Sequence, residues 1–197
     1  MIVPSWKVTH PDNPDSTLDA IQAVLKAAQF AAVTHASQKR KGAAAEPYIN
    51  HLLEVAGLVS NAITEPDTNL IAAAILHDTI EDTKTTKEEL VQTFGFDVAD
   101  LVLEVTDDKS LPDAERKRRQ VEHAPKLSVR AQVIKIADKI SNLRGILYSP
   151  PANWDQRRKH EYFVWGKQVM DGMTTPNEKL KKEFDAVYQK FDELLRE

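Results

Sequence analysis

Residues 72–83, AAAILHDTIEDT, drive an apolar run straight into His77, Asp78, Glu81 and Asp82. Carrying ionisable groups into a low-dielectric interior costs several kcal/mol each unless they find partners. A fold that accepts this segment must therefore bring a cation, a set of protonation partners, or both to the same place. Metal-dependent chemistry is the first hypothesis that the sequence suggests.

The rest of the chain is patterned for helices. At 197 residues it has the length of one ordinary domain. Residues 1–15 carry three prolines and read as an extended arm. Ser16, with Asp19 three positions on, resembles a helix start, and the domain is expected over 16–197. The first helix is expected to run to about Lys41, burying a face of Leu18, Ile21, Val24, Leu25, Ala28 and Ala32. Pro47 is placed to open a second helix through Leu52, Val55, Leu58 and Val59. Further helices are expected from Asp67 to His77, Thr86 to Phe94, Gly95 to about Val105, Pro112 to near Pro125, and from Ser128 to a stop at Pro150-Pro151. Two more follow, roughly Trp154 to Met173 and Asn177 to Leu195. Sustained strand alternation is missing, so the expected fold is all-α, a single bundle of about eight to ten helices.

Composition narrows the chemistry. The net charge of −4, from 26 basic and 30 acidic residues, argues against nucleic acid or membrane surfaces as bulk electrostatic partners. With no cysteine, thiolate metal sites and cysteine nucleophiles are excluded, leaving histidine and carboxylate as the strong ligands. The N-terminus lacks the apolar core of a signal peptide and no apolar stretch reaches membrane-spanning length, so a cytoplasmic location is expected.

His51, the His77-Asp78 pair and Asp138 fall on three expected helices amid apolar residues such as Ile75-Leu76 and Val133-Ile134, as convergence in a helical core requires. A lone histidine on an apolar face is more often a hydrogen-bonded core residue than a ligand. Together, two imidazoles and two carboxylates leave open positions on an octahedral ion and suit Mn²⁺, Fe²⁺ or Co²⁺ better than a closed zinc site.

The segments FAAVTHASQKRK, EPYINHLLEVAGLV, AAILHDTIEDTKTT, FGFDVADLVLEVTDDKSLPDAERKRRQVEHAP, IADKISNLR and EYFVWGKQVMDGM add specificity. In this order they make the chain resemble the HD-type hydrolase domain of the RelA/SpoT alarmone enzymes. The similarity is greatest to stand-alone small alarmone hydrolases, including the Mesh type, and extends from about Leu18 to Met173. It implies an HD-domain fold and hydrolysis of the 3′-pyrophosphate of (p)ppGpp, a small-molecule nucleotide. It also implies that His51, His77, Asp78 and Asp138 hold one Mn²⁺ while Glu81 and Asp82 position and deprotonate water. These two lie four residues beyond His77 and Asp78, near the ion if the helix continues.

Phosphates need local positive charge. Arg40 and Lys41 match the family's basic pair, Arg116 leads the run Arg116-Lys117-Arg118-Arg119, and Lys139 follows Asp138. The run cannot aim all four side chains at one site. Asn142, in the family's DKxxNLR pattern, is expected near the nucleoside. Tyr48 and Tyr162 are possible contacts, with Trp165 assigned to the core. His35 reads as an outer-sphere or surface histidine, and His10, His123 and His160 have no chemical company. Two departures from the family pattern stand out: RKGAAAEPY replaces the shorter RKSGEPY, and Leu52 replaces a common proline. Neither removes a ligand, though Gly42 to Glu46 is expected to border the pocket. The alternatives are the same reaction on adenosine alarmones such as (p)ppApp, and a non-catalytic alarmone-binding module. The latter would have no use for Glu81 and Asp82. Oligomeric state is not readable.

Overall fold

The computed structural model describes residues 17–194. The expected arm at 1–15, the Ser16 helix start, His10 and the expected helix end at Leu195 lie outside the described residues. Within them run α1 (Thr17–Thr34), α2 (Ile49–Ala62), α3 (Thr68–Leu76), the single turn α4 (Thr79–Asp82), α5 (Lys87–Phe94) and α6 (Phe96–Val105). They are followed by α7 (Asp113–His123), α8 (Val129–Tyr148), α9 (Gln156–Asp171) and α10 (Glu178–Leu194), with a 3-10 turn at Ala124–Lys126. The only strand-like feature among the described residues is an isolated bridge between Lys39 and Pro47. No helix among them is long and apolar enough to cross a membrane.

Side-chain caps set four of the helix starts. Asp67, Thr86, Ser128 and Asp155 each accept a backbone N–H of the helix they open, from Leu70, Glu89, Ala131 and Arg158. Gly95, at φ 86°, separates α5 from α6 in a conformation that L side chains rarely adopt.

Two helices form the centre. α3 is apolar on nearly every side, its Leu70, Ala72, Ala73, Ala74, Ile75 and Leu76 all buried, so it is packed by α1, α2 and α6 at once. α8 crosses the bundle beside α2, α6, α9 and α10, burying Ile134, Ile136, Ile140 and Leu143. Leu52, which takes the place of a proline, is fully buried and fills this core.

α1 departs from expectation twice. Its fully buried residues are Ala27 and Ala31, and the expected Val24 and Ala28 are partly buried against the core, whereas Leu18 and Leu25 are 62% and 60% exposed and Ile21 and Ala32 also face solvent. The partner explains this: α3 has 9 residues against 18 in α1, and its alanine surface selects alanine-sized contacts over the overlap. α1 also ends at Thr34 rather than near Lys41. The Thr34 hydroxyl bonds back to Phe30 O and Ala31 O, and the chain turns into a hairpin-like loop. There Arg40 N donates to Glu46 O at 2.9 Å and Tyr48 N to Gln38 O at 3.1 Å. Gly42 is required at the tip, because a Cβ there would stand 2.2 Å from Ser149 O at the end of α8.

Candidate active site

α3 stops at Leu76, and the break delivers the charged residues. His77 caps the helix, where the sequence places its end, Asp78 sits at φ −99° and ψ 0°, and α4 restarts the turn, so the helical path toward Glu81 and Asp82 does not run on unbroken. Asp82 N still donates to Asp78 O at 2.8 Å, which preserves the four-residue spacing.

His51 from α2, His77 and Asp78 after α3, and Asp138 from α8 meet at one point. Asp138 Oδ1 lies 3.4 Å from His51 Nε2 and 3.7 Å from His77 Nε2. Asp78 Oδ2 lies 3.6 Å and 3.2 Å from the same two nitrogens. Ligand atoms of His51, His77 and Asp138 fall within 4.8 Å of one another.

Both Nε2 atoms are buried without a hydrogen-bond partner. Both Nδ1 atoms are engaged, His77's with Ala74 O at 2.8 Å and His51's with Ser141 Oγ at 2.8 Å. Nitrogen lone pairs aimed at a gap between carboxylates are the donor set of a divalent ion, so the residues fit one. The electrostatics agree. Burial opposes charge on His77, yet the negative charge of Asp78 and then of Asp138 holds its pKa up to about 10, so these carboxylates draw positive charge to this point, a proton on the ring or a divalent ion in its place. Burial likewise pushes Asp78 and Asp138 up, but His77 beside the first and Lys139 beside the second hold both well below the carboxylate range.

A cavity of about 630 Å³ opens over these groups, a size suited to a nucleotide. Glu81 and Asp82 both line it. Glu81 Oε2 accepts Asp107 N at 3.1 Å, and its Oε1 is 3.7 Å from Arg116. Burial, then the charges of Asp78 and Asp107, raise the Glu81 carboxyl above its ordinary value. Asp82 Oδ2 accepts Gln38 Nε2 at 2.6 Å, and Lys109 pairs with its other oxygen.

Among the expected substrate contacts, Arg40, Lys41, Tyr48, Arg116, Lys139, Asn142 and Tyr162 all line the cavity. Several are already engaged. Asn142 donates to Asp138 Oδ1 and accepts from Arg40 Nη1 at 2.9 Å, linking the basic loop to the acid cluster. Tyr48 donates to Asp78 Oδ2 at 2.6 Å, and burial with the Asp78 charge pushes its hydroxyl far up, keeping it a donor. Lys139 Nζ lies 3.0 Å from Asp138 Oδ2 and 4.5 Å from the Trp165 ring centre. The basic run divides: Arg116 and Lys117 line the cavity, while Arg118 and Arg119 pair with Glu115 on the solvent side.

Trp165 is half-buried: it packs against the core and also forms part of the cavity wall. Its Nε1 donates to Lys117 O at 3.1 Å, and the amines of Lys117 and Lys139 stack on its ring. Trp154 and Arg158, unmarked in sequence, extend this wall through Tyr162. His35 is buried rather than on the surface. It stacks on Tyr48 with ring centres 5.3 Å apart, and its Nδ1 meets Gln38 Oε1 at 2.7 Å. Gln38, Lys109 and Asp107 also escaped the sequence reading, though Gln38 stands within THASQKRK, where its spacing of three from His35 was the available signal.

The HD domain family matches residues 27–164. A guanosine-3′,5′-bis(diphosphate) 3′-pyrophosphohydrolase MESH1 of Xenopus tropicalis is 47% identical over 165 residues, 84% of this chain and 92% of that protein. The Homo sapiens protein of the same name is 44% identical over 166 residues, 84% of this chain and 93% of its own. A solved structure, described as a metazoan ortholog of SpoT that hydrolyzes ppGpp, superposes with a TM-score of 0.82 at 40% identity, covering 93% of this chain and 98% of the other.

Proposed function

The chain belongs to the HD domain family, and we propose that it is a metal-dependent 3′-pyrophosphohydrolase converting ppGpp or pppGpp to GDP or GTP and pyrophosphate. One observation carries this reading: two buried, unpartnered imidazole nitrogens face the buried carboxylate of Asp138 and the partly buried one of Asp78 beneath a nucleotide-sized cavity lined by arginine and lysine. The names of the relatives supply the substrate.

His51, His77, Asp78 and Asp138 would hold the ion, and the mixed nitrogen and oxygen set favours Mn²⁺. When bound, such an ion supplies a Lewis acid to the phosphoryl oxygens and acidifies water. Glu81 takes the proton of the attacking water, a task its raised carboxyl pKa suits. Asp82, held by Gln38 and Lys109, orients the same water. Oxygen of that water bonds to the phosphorus next to the ribose, the bond from phosphorus to the 3′ oxygen breaks, and the 3′ oxygen takes a proton from solvent while Glu81 returns the one it accepted to solvent. Arg40, Lys41, Arg116 and Lys139 neutralise the phosphates, and positioning with charge neutralisation is the main resource in phosphoryl transfer. Asn142, Tyr48 and Tyr162 border the nucleoside.

The test is incubation of the protein with ppGpp and Mn²⁺, following nucleotide and pyrophosphate by chromatography. Stoichiometric GDP and pyrophosphate are expected. Intact ppGpp after incubation with folded, metal-replete protein would overturn the reading.

A further inference from the structure

His51 is held by a chain of polar side chains that leads away from the cavity. Its Nδ1 meets Ser141 Oγ at 2.8 Å, with both residues buried. Ser141 Oγ donates to Glu54 Oε2 at 2.6 Å. Glu54 Oε1 accepts from Arg144 Nη1 at 3.1 Å, and Arg144 Nη2 donates to Glu183 Oε2 at 2.6 Å. Thus α2 supplies His51 and Glu54, α8 supplies Ser141 and Arg144, and α10, beyond the residues matched by the HD domain family, supplies the last carboxylate.

The direction of this chain follows from counting protons. An ionised Glu54 can only accept, so the single hydroxyl proton of Ser141 points to it. Ser141 then faces the imidazole as an acceptor, and His51 must donate from Nδ1. A neutral ring with its proton there has its lone pair on Nε2, the buried atom that faces Asp78 and Asp138 without a hydrogen bond. The Ala74 carbonyl does the same for His77 in one step.

We propose that Ser141 and Glu54 are positioning residues for the ion: they fix the tautomer and rotation of His51, and Arg144 keeps Glu54 in place. The proposal rests on reading the site as a divalent-ion centre. Partners of this kind, bonded to the far nitrogen of a ligating histidine, typically contribute 10–100-fold in metal affinity. Were Ser141 only filling space, alanine in a buried helix would serve as well.

The experiment titrates metal-free, full-length protein with Mn²⁺ alone and reads free Mn²⁺ by its electron paramagnetic resonance signal. S141A and E54Q are expected to weaken binding roughly 10–100-fold, since alanine removes the acceptor and the glutamine amide no longer dictates the hydroxyl's direction. In the hydrolysis assay the Mn²⁺ concentration for half-activation should rise in step while kcat at saturating Mn²⁺ recovers, a split that general loss of structure does not produce. Wild-type affinity in both variants, or a kcat that excess Mn²⁺ does not restore, would overturn the proposal. If S141A does not fold, E54Q decides, because Glu54 is partly exposed and its replacement keeps the shape. A wild-type protein that binds no divalent ion would instead sink the metal reading itself.

Discussion

Arg40 lies across Gly145, so closely that a Cβ on the glycine would stand 2.8 Å from Arg40 Nη2. The bare backbone lets the guanidinium donate to Asn142 Oδ1 at 2.9 Å and to Ser141 O at 3.3 Å. Gly145 lies within α8, where alanine would favour the helix by up to about 1 kcal/mol. G145A is therefore expected to keep or raise Tm while displacing Arg40. Because Arg40 would grip substrate and transition state alike, KM for ppGpp should rise about 10-fold with kcat little changed. Steady-state kinetics beside a thermal melt check this, and an unchanged KM removes Arg40 from the substrate site.

Glu81 sets the acid side of the pH profile. As a base it works ionised, and burial with the charges of Asp78 and Asp107 raises its carboxyl, so activity should fall with decreasing pH at a higher value than an ordinary glutamate gives. E81Q should lose about 10²–10⁴-fold in kcat. Stability moves the other way. A carboxyl raised in the folded state binds more protons folded than unfolded, so its contribution is lost as pH rises from the ordinary value through the raised one. In chelator, E81Q, which keeps the acceptor for Asp107 N, should unfold at higher urea than wild type at pH 8 and not at pH 4. A lower midpoint at pH 8 would show that the Glu81 charge is not a burden on the fold.

The acid cluster was legible because its members interrupt apolar runs: His77-Asp78 follows Ile75-Leu76, and Asp138 stands between Ile136 and Ile140 on a helix of clear period. Caps such as Asp67 and Ser128 were legible because they act within four residues. What escaped depends on neighbours distant in the chain. The Leu18, Ile21, Leu25 face has the period of a buried stripe, but α3 is too short and too alanine-rich to receive it. Trp165 has helical core spacing, and only the approach of Lys117 and Lys139 makes it cavity wall. Ser141 and Glu54 look like ordinary helix polars until α2 and α8 are set side by side.

Lys139 and Asp138 form a buried ion pair whose balance depends on the ion. Burial lowers the Lys139 pKa, but the Asp138 charge outweighs it and holds the amine above its ordinary value, so it is cationic at neutral pH. K139M keeps the stem against Trp165 and deletes the charge. Removing one partner of a buried pair costs about 3–5 kcal/mol, because the other charge is left without compensation. A divalent ion beside Asp138 provides that compensation, so the loss of Tm should be large in chelator and clearly smaller in Mn²⁺. Melting curves under both conditions check it. Equal losses would mean that the ion and Asp138 do not meet.

Gln38 aims Asp82. Its amide oxygen faces His35 Nδ1 at 2.7 Å, which leaves its nitrogen to donate to Asp82 Oδ2 at 2.6 Å, and His35 is itself pinned by stacking on Tyr48. The other Asp82 oxygen meets Lys109, a half-exposed amine whose hold water and salt weaken. Q38L keeps the bulk and removes the donor, leaving Asp82 free to turn toward Lys109. Misaligning a group that acts on water in the transition state should lower kcat about 10-fold with KM within about 3-fold of wild type. Q38E should fall further, since it sets a second carboxylate against Asp82 where the amide donated. K109A, which removes only the screened partner, should stay within about 3-fold in kcat. Kinetics at saturating Mn²⁺ separate these outcomes, and a Q38L enzyme with wild-type kcat would show that Asp82 is oriented without Gln38.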